Sequence, residues 1–113
     1  MVKSLPKAED IVQRVREQLT ISLRGGNTGI NIIAETLNMT TRTLQRQLKE
    51  NDTSHKALLD DMRKELAFHY LKNKNLGASE VAYLLGYSEP SVFHRAFKRW
   101  FNSTPNELRH LEA

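Results

Sequence analysis

An all-α fold follows from three features of the sequence. Helical periodicity runs through almost every segment, strand signals are poor, and the three prolines each stand where a helix can begin. Pro6, Pro90 and Pro105 fit a first helical turn, where the missing N–H has no partner to lose and the fixed φ already suits the helix. The pattern predicts about seven helices.

The first helix is expected over 6–23, capped by Ser4, with Ile11, Val12, Val15 and Leu19 at helical spacing and Arg14, Arg16, Glu17 and Gln18 on the other face. Gly25-Gly26-Asn27-Thr28-Gly29 ends it, because glycine accepts the left-handed backbone that helix ends favour. A short helix follows over 30–37, with Asn38-Met39 as a tight turn. Thr40 then caps a third helix over 41–49. Asn51-Asp52-Thr53 breaks that helix, and Thr53 or Ser54 caps a long fourth one ending near Asn73. Its stripe is Leu58, Leu59, Met62, Leu66, Tyr70 and Leu71. Next come a short helix over 78–85, a turn at Gly86-Tyr87, a helix over 89–101 capped by Ser88, and a last one over 105–111.

The second half of this series repeats the first. Gly29-Ile30, Ile33-Ala34 and Leu37-Asn38-Met39-Thr40 align with Gly77-Ala78, Val81-Ala82 and Leu85-Gly86-Tyr87-Ser88 in constant register. One extra residue enters near Glu89-Pro90, after which Leu44, Arg46 and Leu48-Lys49 match Phe93, Arg95 and Phe97-Lys98. Each shared feature has a physical reason. Ala34 and Ala82 let two helices cross closely. Met39 and Tyr87 fill the angle after the turn. Asn38 and Gly86 occupy the position that needs positive φ, which glycine takes freely and asparagine tolerates. A short helix, a glycine-type turn and a second capped helix make a helix-turn-helix. Two αα-hairpins with no nucleic-acid role would share the turn residues. The matching basic residues on both second helices favour DNA instead.

With Leu44 and Leu48 turned to the core, about 100° per residue puts Arg42, Gln45, Arg46 and Lys49 on the outer side of the third helix. Arginine can bond guanine, and glutamine adenine, in bidentate fashion. Thr41 and Thr43 suit phosphates or thymine methyls. In the second unit Phe93, Phe97 and Trp100 face inward, while Ser91, His94, Arg95 and Lys98 face outward with Arg99 at the flank. The first unit is therefore expected to discriminate bases more directly, and the second to lean on phosphates and DNA shape. The helix starts near Ser54-His55-Lys56 and Thr104-Pro105-Asn106 are further candidate phosphate anchors. The long helix, about 18 residues at ~1.5 Å each, spans roughly 27 Å. That scale suits two recognition helices about one DNA turn apart, ~34 Å, on an asymmetric site of roughly 15–20 bp. The expected division is one DNA-binding domain over 1–113, with subdomains at 6–53 and 77–111 and a linker helix at 54–73.

Composition agrees. Lysine and arginine number 17 against 13 acidic residues, a net charge of +4, which points to a polyanionic partner. There is no cysteine, so disulfides and thiolate metal sites are excluded and a cytoplasmic setting is expected. No apolar run approaches the ~20 residues of a membrane span, and Lys3, Lys7, Glu9 and Asp10 interrupt any signal-peptide pattern. His55, His69, His94 and His110 are scattered. Glu107 and His110 form one helical pair without the second pair a metal site needs, and read as surface charge. Asp60-Asp61 with Glu65 reads as a solvated face, or as an acidic patch for a protein partner. His69 reads as a half-buried side chain. No catalytic group, cofactor or metal is expected. The rival classes are a protein-interaction module and an RNA binder that stacks bases on Tyr87, Phe93, Phe97 and Trp100. The helical spacing of those rings argues for core.

Val81-Ala82, Leu85-Gly86-Tyr87-Ser88-Glu89-Pro90-Ser91, Phe93, Arg95-Ala96-Phe97-Lys98-Arg99-Trp100, Thr104-Pro105 and Arg109 together resemble the signature of the AraC/XylS family of bacterial transcription regulators. The first half agrees through Ile33-Ala34, Leu37, Met39-Thr40, Arg42-Thr43-Leu44-Gln45-Arg46 and Leu48-Lys49, then Leu58-Leu59, Arg63, Ala67 and Leu71. The resemblance runs from the first helix to Arg109. It implies two helix-turn-helix units joined by a long helix, and promoter binding with activation through RNA polymerase. It also implies base reading by Arg42, Gln45 and Arg46 in one unit and by Ser91, His94 and Arg95 in the other. Most such members carry an N-terminal effector-binding or dimerisation domain, so the chain reads as an excised C-terminal domain in preference to a small single-domain member, with the isolated domain expected to be a monomer. Asn38 and Asn102 depart from the family's usual glycines, and Gly29 and Gly77 stand where a serine cap is common. The fold is expected to tolerate the asparagines, while both short helices should be slightly weaker.

Overall fold

A computed structural model describes residues 8–73 and 76–110; the expected Ser4 cap, the Pro6 start and the Leu111 end lie outside them. Among the described residues the chain is all-helical: α1 (Ala8–Ser22), α2 (Ile30–Thr36), α3 (Thr41–Glu50), α4 (His55–Asn73), α5 (Ala78–Leu84), α6 (Pro90–Phe101) and α7 (Pro105–His110), with a 3-10 turn at Leu23–Gly25 after α1. Two compact units form. One holds α1 and Asn27–Met62; the other holds Leu23–Gly26 and the described residues from Arg63 onward.

In the first unit, Ile11, Val15 and Leu19 of α1 are buried against Ile33, Ala34 and Leu37 of α2, Leu44 and Leu48 of α3, and Leu58 and Met62 of α4. Val12, Ile30, Met39 and Leu59 close the margin of this core. His55, in the first turn of α4, donates from Nε2 to the Thr28 carbonyl at 2.5 Å and so holds the loop that leads into α2. In the second unit the core is Leu23, Ala67, Leu71, Val81, Ala82, Leu85, Phe93, Ala96, Phe97 and Leu108. Phe97 lies 5.7 Å from Phe93 edge-on and 4.7 Å from Phe101, with Trp100 half-buried beside it at 6.4 Å. These rings are core, not stacking platforms.

The two turns are built alike. After α2, the Asn38 N–H bonds the Glu35 carbonyl at 3.0 Å and the Met39 N–H bonds that of Ala34 at 2.9 Å. After α5, Gly86 bonds Tyr83 and Tyr87 bonds Ala82, both at 3.0 Å. This is the Schellman arrangement, which requires one residue in the left-handed region. Asn38 and Gly86 supply it, at φ 60° and 84°. A third copy ends α3, where Asp52 (φ 59°) bonds Lys49 and Thr53 bonds Leu48. The sequence marked that segment only as a breaker. Asn102 closes α6 at φ 56°, so asparagine also serves at this left-handed position, as expected.

One expected cap is absent. Thr40 caps α3, its Oγ1 accepting the Thr43 N–H at 3.0 Å, and Ser54 caps α4 through the Ala57 N–H at 3.1 Å. Ser88 does not cap α6: the helix starts at Pro90, the N-cap is Glu89, and no side chain bonds there. The extra residue of the second copy moves the helix start away from the serine, and Pro90 brings no N–H that needs an acceptor. Gly29 and Gly77 give no side-chain cap; only the Glu80 carboxylate accepts the Gly77 N–H, at 3.4 Å. Thr40→Ala should therefore cost about 1 kcal/mol in urea unfolding, while Ser88→Ala should stay within about 0.5 kcal/mol of the parent. Equal losses for both variants would refute the cap assignment.

Candidate nucleic-acid interface

Arg42, Gln45, Arg46 and Lys49 are all exposed on α3, and Ser91, His94, Arg95 and Lys98 are all exposed on α6. The two sets share the spacing i, i+3, i+4, i+7, an arc of roughly 100° on a helix. Leu44 and Leu48 behind the first set, and Phe93 and Phe97 behind the second, have no exposed surface. Each of these two helices is thus fixed by its apolar side and shows a polar ridge to solvent. Three of the four α3 positions are cationic, against two on α6.

The geometry qualifies some of these side chains. The Arg46 Nε stands 3.8 Å from Glu50, one turn on, with both side chains more than half exposed. On α6, the His94 Nδ1 lies 2.8 Å from the Pro90 carbonyl. A carbonyl can only accept, so Nδ1 carries the hydrogen and Nε2 is left as the outward edge of the ring. Thr41 differs from its neighbours. It is half-buried, and its hydroxyl donates to Asn31 Oδ1 on α2 at 2.8 Å. The Thr40 hydroxyl bonds the Thr43 Oγ1 at 3.0 Å, so Thr43 also joins the helix start. Sequence periodicity gave no sign of either link.

The second turn is held from three sides. Arg63 of α4 donates from Nε to the Leu85 carbonyl at 2.9 Å, and its guanidinium lies 4.2 Å over the Tyr87 ring. Leu23 lies against Gly86 from the chain just after α1. In the same unit, Arg109 bonds the carbonyls of Leu71 and Leu76, and Lys72 bonds that of Leu108, tying α7 to the end of α4. These cations position the unit through backbone oxygens.

The remaining candidates have local roles. Glu107 forms a capping box with Thr104, accepting the Thr104 N–H at 2.9 Å while its own N–H bonds Thr104 Oγ1 at 3.1 Å. His110 bonds the Asn106 carbonyl at 2.9 Å. His69 is exposed, not half-buried as its position on α4 suggested, because the helix turns Leu66, Ala67 and Tyr70 inward instead. Asp61 and Glu65 are exposed as expected, with Asp60 half-buried. Among the described residues, no group of three or more His, Asp or Glu is placed to hold a metal ion, and no helix is long and apolar enough to cross a membrane.

Known proteins share this arrangement. Residues 33–110 match the family described as a helix-turn-helix domain. The chain is 34% identical to an ornithine utilization regulator of Pseudomonas aeruginosa, over 96% of this chain and 32% of that protein. It is 32% identical to the transcriptional activator RhaS of Escherichia coli, over 68% of this chain and 28% of that one. The chain thus spans about a third of the length of these relatives, or less. Among solved structures, the C-terminal domain of the response regulator AraT from Geobacillus stearothermophilus superposes with a TM-score of 0.81 at 28% identity, over 92% of this chain and 87% of that one. The two units, their shared turn and this likeness agree: the chain belongs to the helix-turn-helix family, as a DNA-binding domain of the AraC/XylS type.

Proposed function

We propose that this domain reads one asymmetric duplex site of roughly 15–20 bp by placing α3 and α6 in successive major grooves, and that it activates transcription from there through RNA polymerase. Arg42, Gln45, Arg46 and Lys49 contact one groove, and Ser91, His94, Arg95 and Lys98 the next. Every other helix belongs to one of the two compact units, and α4 contributes to both, its residues up to Met62 to the first and those from Arg63 to the second. The observation that carries this reading is the duplicated ridge: two helices with identical outward spacing, each seated on a fully buried apolar side. The net charge of +4 supports a phosphate-rich partner. The activator among the relatives supports activation.

Fluorescence anisotropy with duplex DNA and with single-stranded RNA, titrated in salt, tests the reading. Duplex should bind more tightly, and log affinity should fall linearly with log salt at about 0.9 per phosphate neutralised. With six or more contacts, affinity should drop about a thousandfold or more between roughly 50 and 200 mM salt. Preference for the single strand, or no duplex binding at low salt, refutes duplex recognition. A footprint confined to one groove refutes the two-groove arrangement.

A further inference from the structure

We propose that Asn31, outside the recognition helices, contacts a DNA phosphate with its side-chain amide, and that Thr41 orients it for this. The inference rests on the duplex reading above. Thr41 is the first residue of α3, directly before Arg42 at the head of the outward ridge. Its hydroxyl gives its one hydrogen to Asn31 Oδ1 at 2.8 Å. The Thr41 hydroxyl therefore has no hydrogen left for a phosphate, whose oxygens only accept. The donor passes to Asn31. With Oδ1 engaged, the amide is fixed and its Nδ2 keeps two hydrogens on an exposed residue. In a helix-turn-helix the first helix crosses the DNA backbone while the start of the second approaches the bases, and the Asn31–Thr41 bond joins those two helices.

The fold does not need this bond. In the second unit, the repeat places Ser79 and Pro90 at the matching positions. Pro90 has no hydroxyl, yet α5 and α6 pack with the same turn hydrogen bonds as α2 and α3. Ile33, Ala34, Leu44 and Leu48 already bury the contact between α2 and α3. A polar link present in one copy and dispensable in the other fits a contact made to the ligand.

The test uses the full chain and the duplex it selects from a random pool. Single methylphosphonates, which remove one backbone charge each, are placed in turn along that duplex. Affinity is measured for the parent and for Asn31→Ala, with thermal melts to show that both are folded. The parent should lose about tenfold at one position, as for a hydrogen bond to a charged group, and Asn31→Ala should lose nothing further there while matching the parent at every other position. Thr41→Val should show a reduced coupling at that same position. Asn31→Asp, which keeps the acceptor for Thr41 but turns a carboxylate to the phosphate, should bind the unmodified duplex more weakly than Asn31→Ala. Equal sensitivity of parent and Asn31→Ala at every methylphosphonate overturns the contact while leaving duplex recognition intact. Failure of the parent to select any duplex overturns both.

Discussion

Replacing Gly86 by alanine should unfold the second unit more readily than any other single methyl added at a turn. Two costs combine there. The backbone sits at φ 84°, a region that an L side chain enters at about 1–2 kcal/mol. A Cβ at Gly86 would also lie 2.6 Å from the Leu23 carbonyl oxygen and 3.4 Å from the Arg63 guanidinium. Arg63 can give way, but the Leu23 carbonyl is backbone and Leu23 is itself buried. The turn must shift, and with it the Leu85 carbonyl that Arg63 holds and the Tyr87 ring that packs 5.7 Å from Phe93. We expect a loss on the order of 3 kcal/mol, the left-handed cost plus about as much again for forced repacking. Gly26 provides the control. It has φ 75° but nothing within 4 Å of a Cβ, so Gly26→Ala should cost only the backbone term, about 1 kcal/mol. Asn38→Gly should be nearly neutral, since Asn38 already occupies φ 60°. Urea unfolding of the three variants checks the order. A Gly86→Ala protein no less stable than Gly26→Ala would show that the Leu23 contact does not constrain the turn.

The contrast between Asn38 and Gly86 also shows how far the sequence reaches. Both were legible as positive-φ positions, because turn chemistry is local and a short repeat exposes it. Why one copy has asparagine and the other glycine is not local. It depends on Leu23, which lies far from Gly86 in sequence and meets it only in the folded second unit. The same holds for Arg63 on the Leu85 carbonyl and Arg109 on those of Leu71 and Leu76: a cation held by backbone oxygens leaves no periodic signature. The outward ridges were legible because the buried leucines and phenylalanines fix the helical phase. Ser88 misled because the rule for caps assumes a known helix start, and the inserted residue moved that start to Pro90. Thr41 suits a phosphate or a thymine methyl by residue type, yet its hydroxyl is turned to Asn31. Periodicity places a Cβ; it does not place a hydrogen.

Removing Arg46 should weaken binding to the selected duplex by roughly 10–100-fold, the 1–3 kcal/mol of one bidentate base contact, while hardly changing the stability of the free protein. The two effects separate because the ion pair that Arg46 makes with Glu50 is exposed. Arg46 and Glu50 stand 3.8 Å apart at 60% and 65% side-chain exposure, and such a pair contributes about 0.3–0.5 kcal/mol at most. With Arg46 on DNA as proposed, Glu50 would compete for the same guanidinium, so Glu50→Gln should bind duplex a few-fold more tightly at low salt, with the gain fading as salt screens the charge. Arg95 occupies the matching position on α6, where Ser91 and His94 replace Arg42 and Gln45. Fewer strong base partners flank it, so Arg95→Ala should lose affinity more evenly across selected and scrambled duplexes than Arg46→Ala does. Anisotropy on both duplexes at fixed salt gives the ratio directly. If Arg46→Ala loses equally on the two, Arg46 holds phosphate and does not read a base. If Arg95→Ala instead shows the larger loss of discrimination, the division of labour between the two units is reversed.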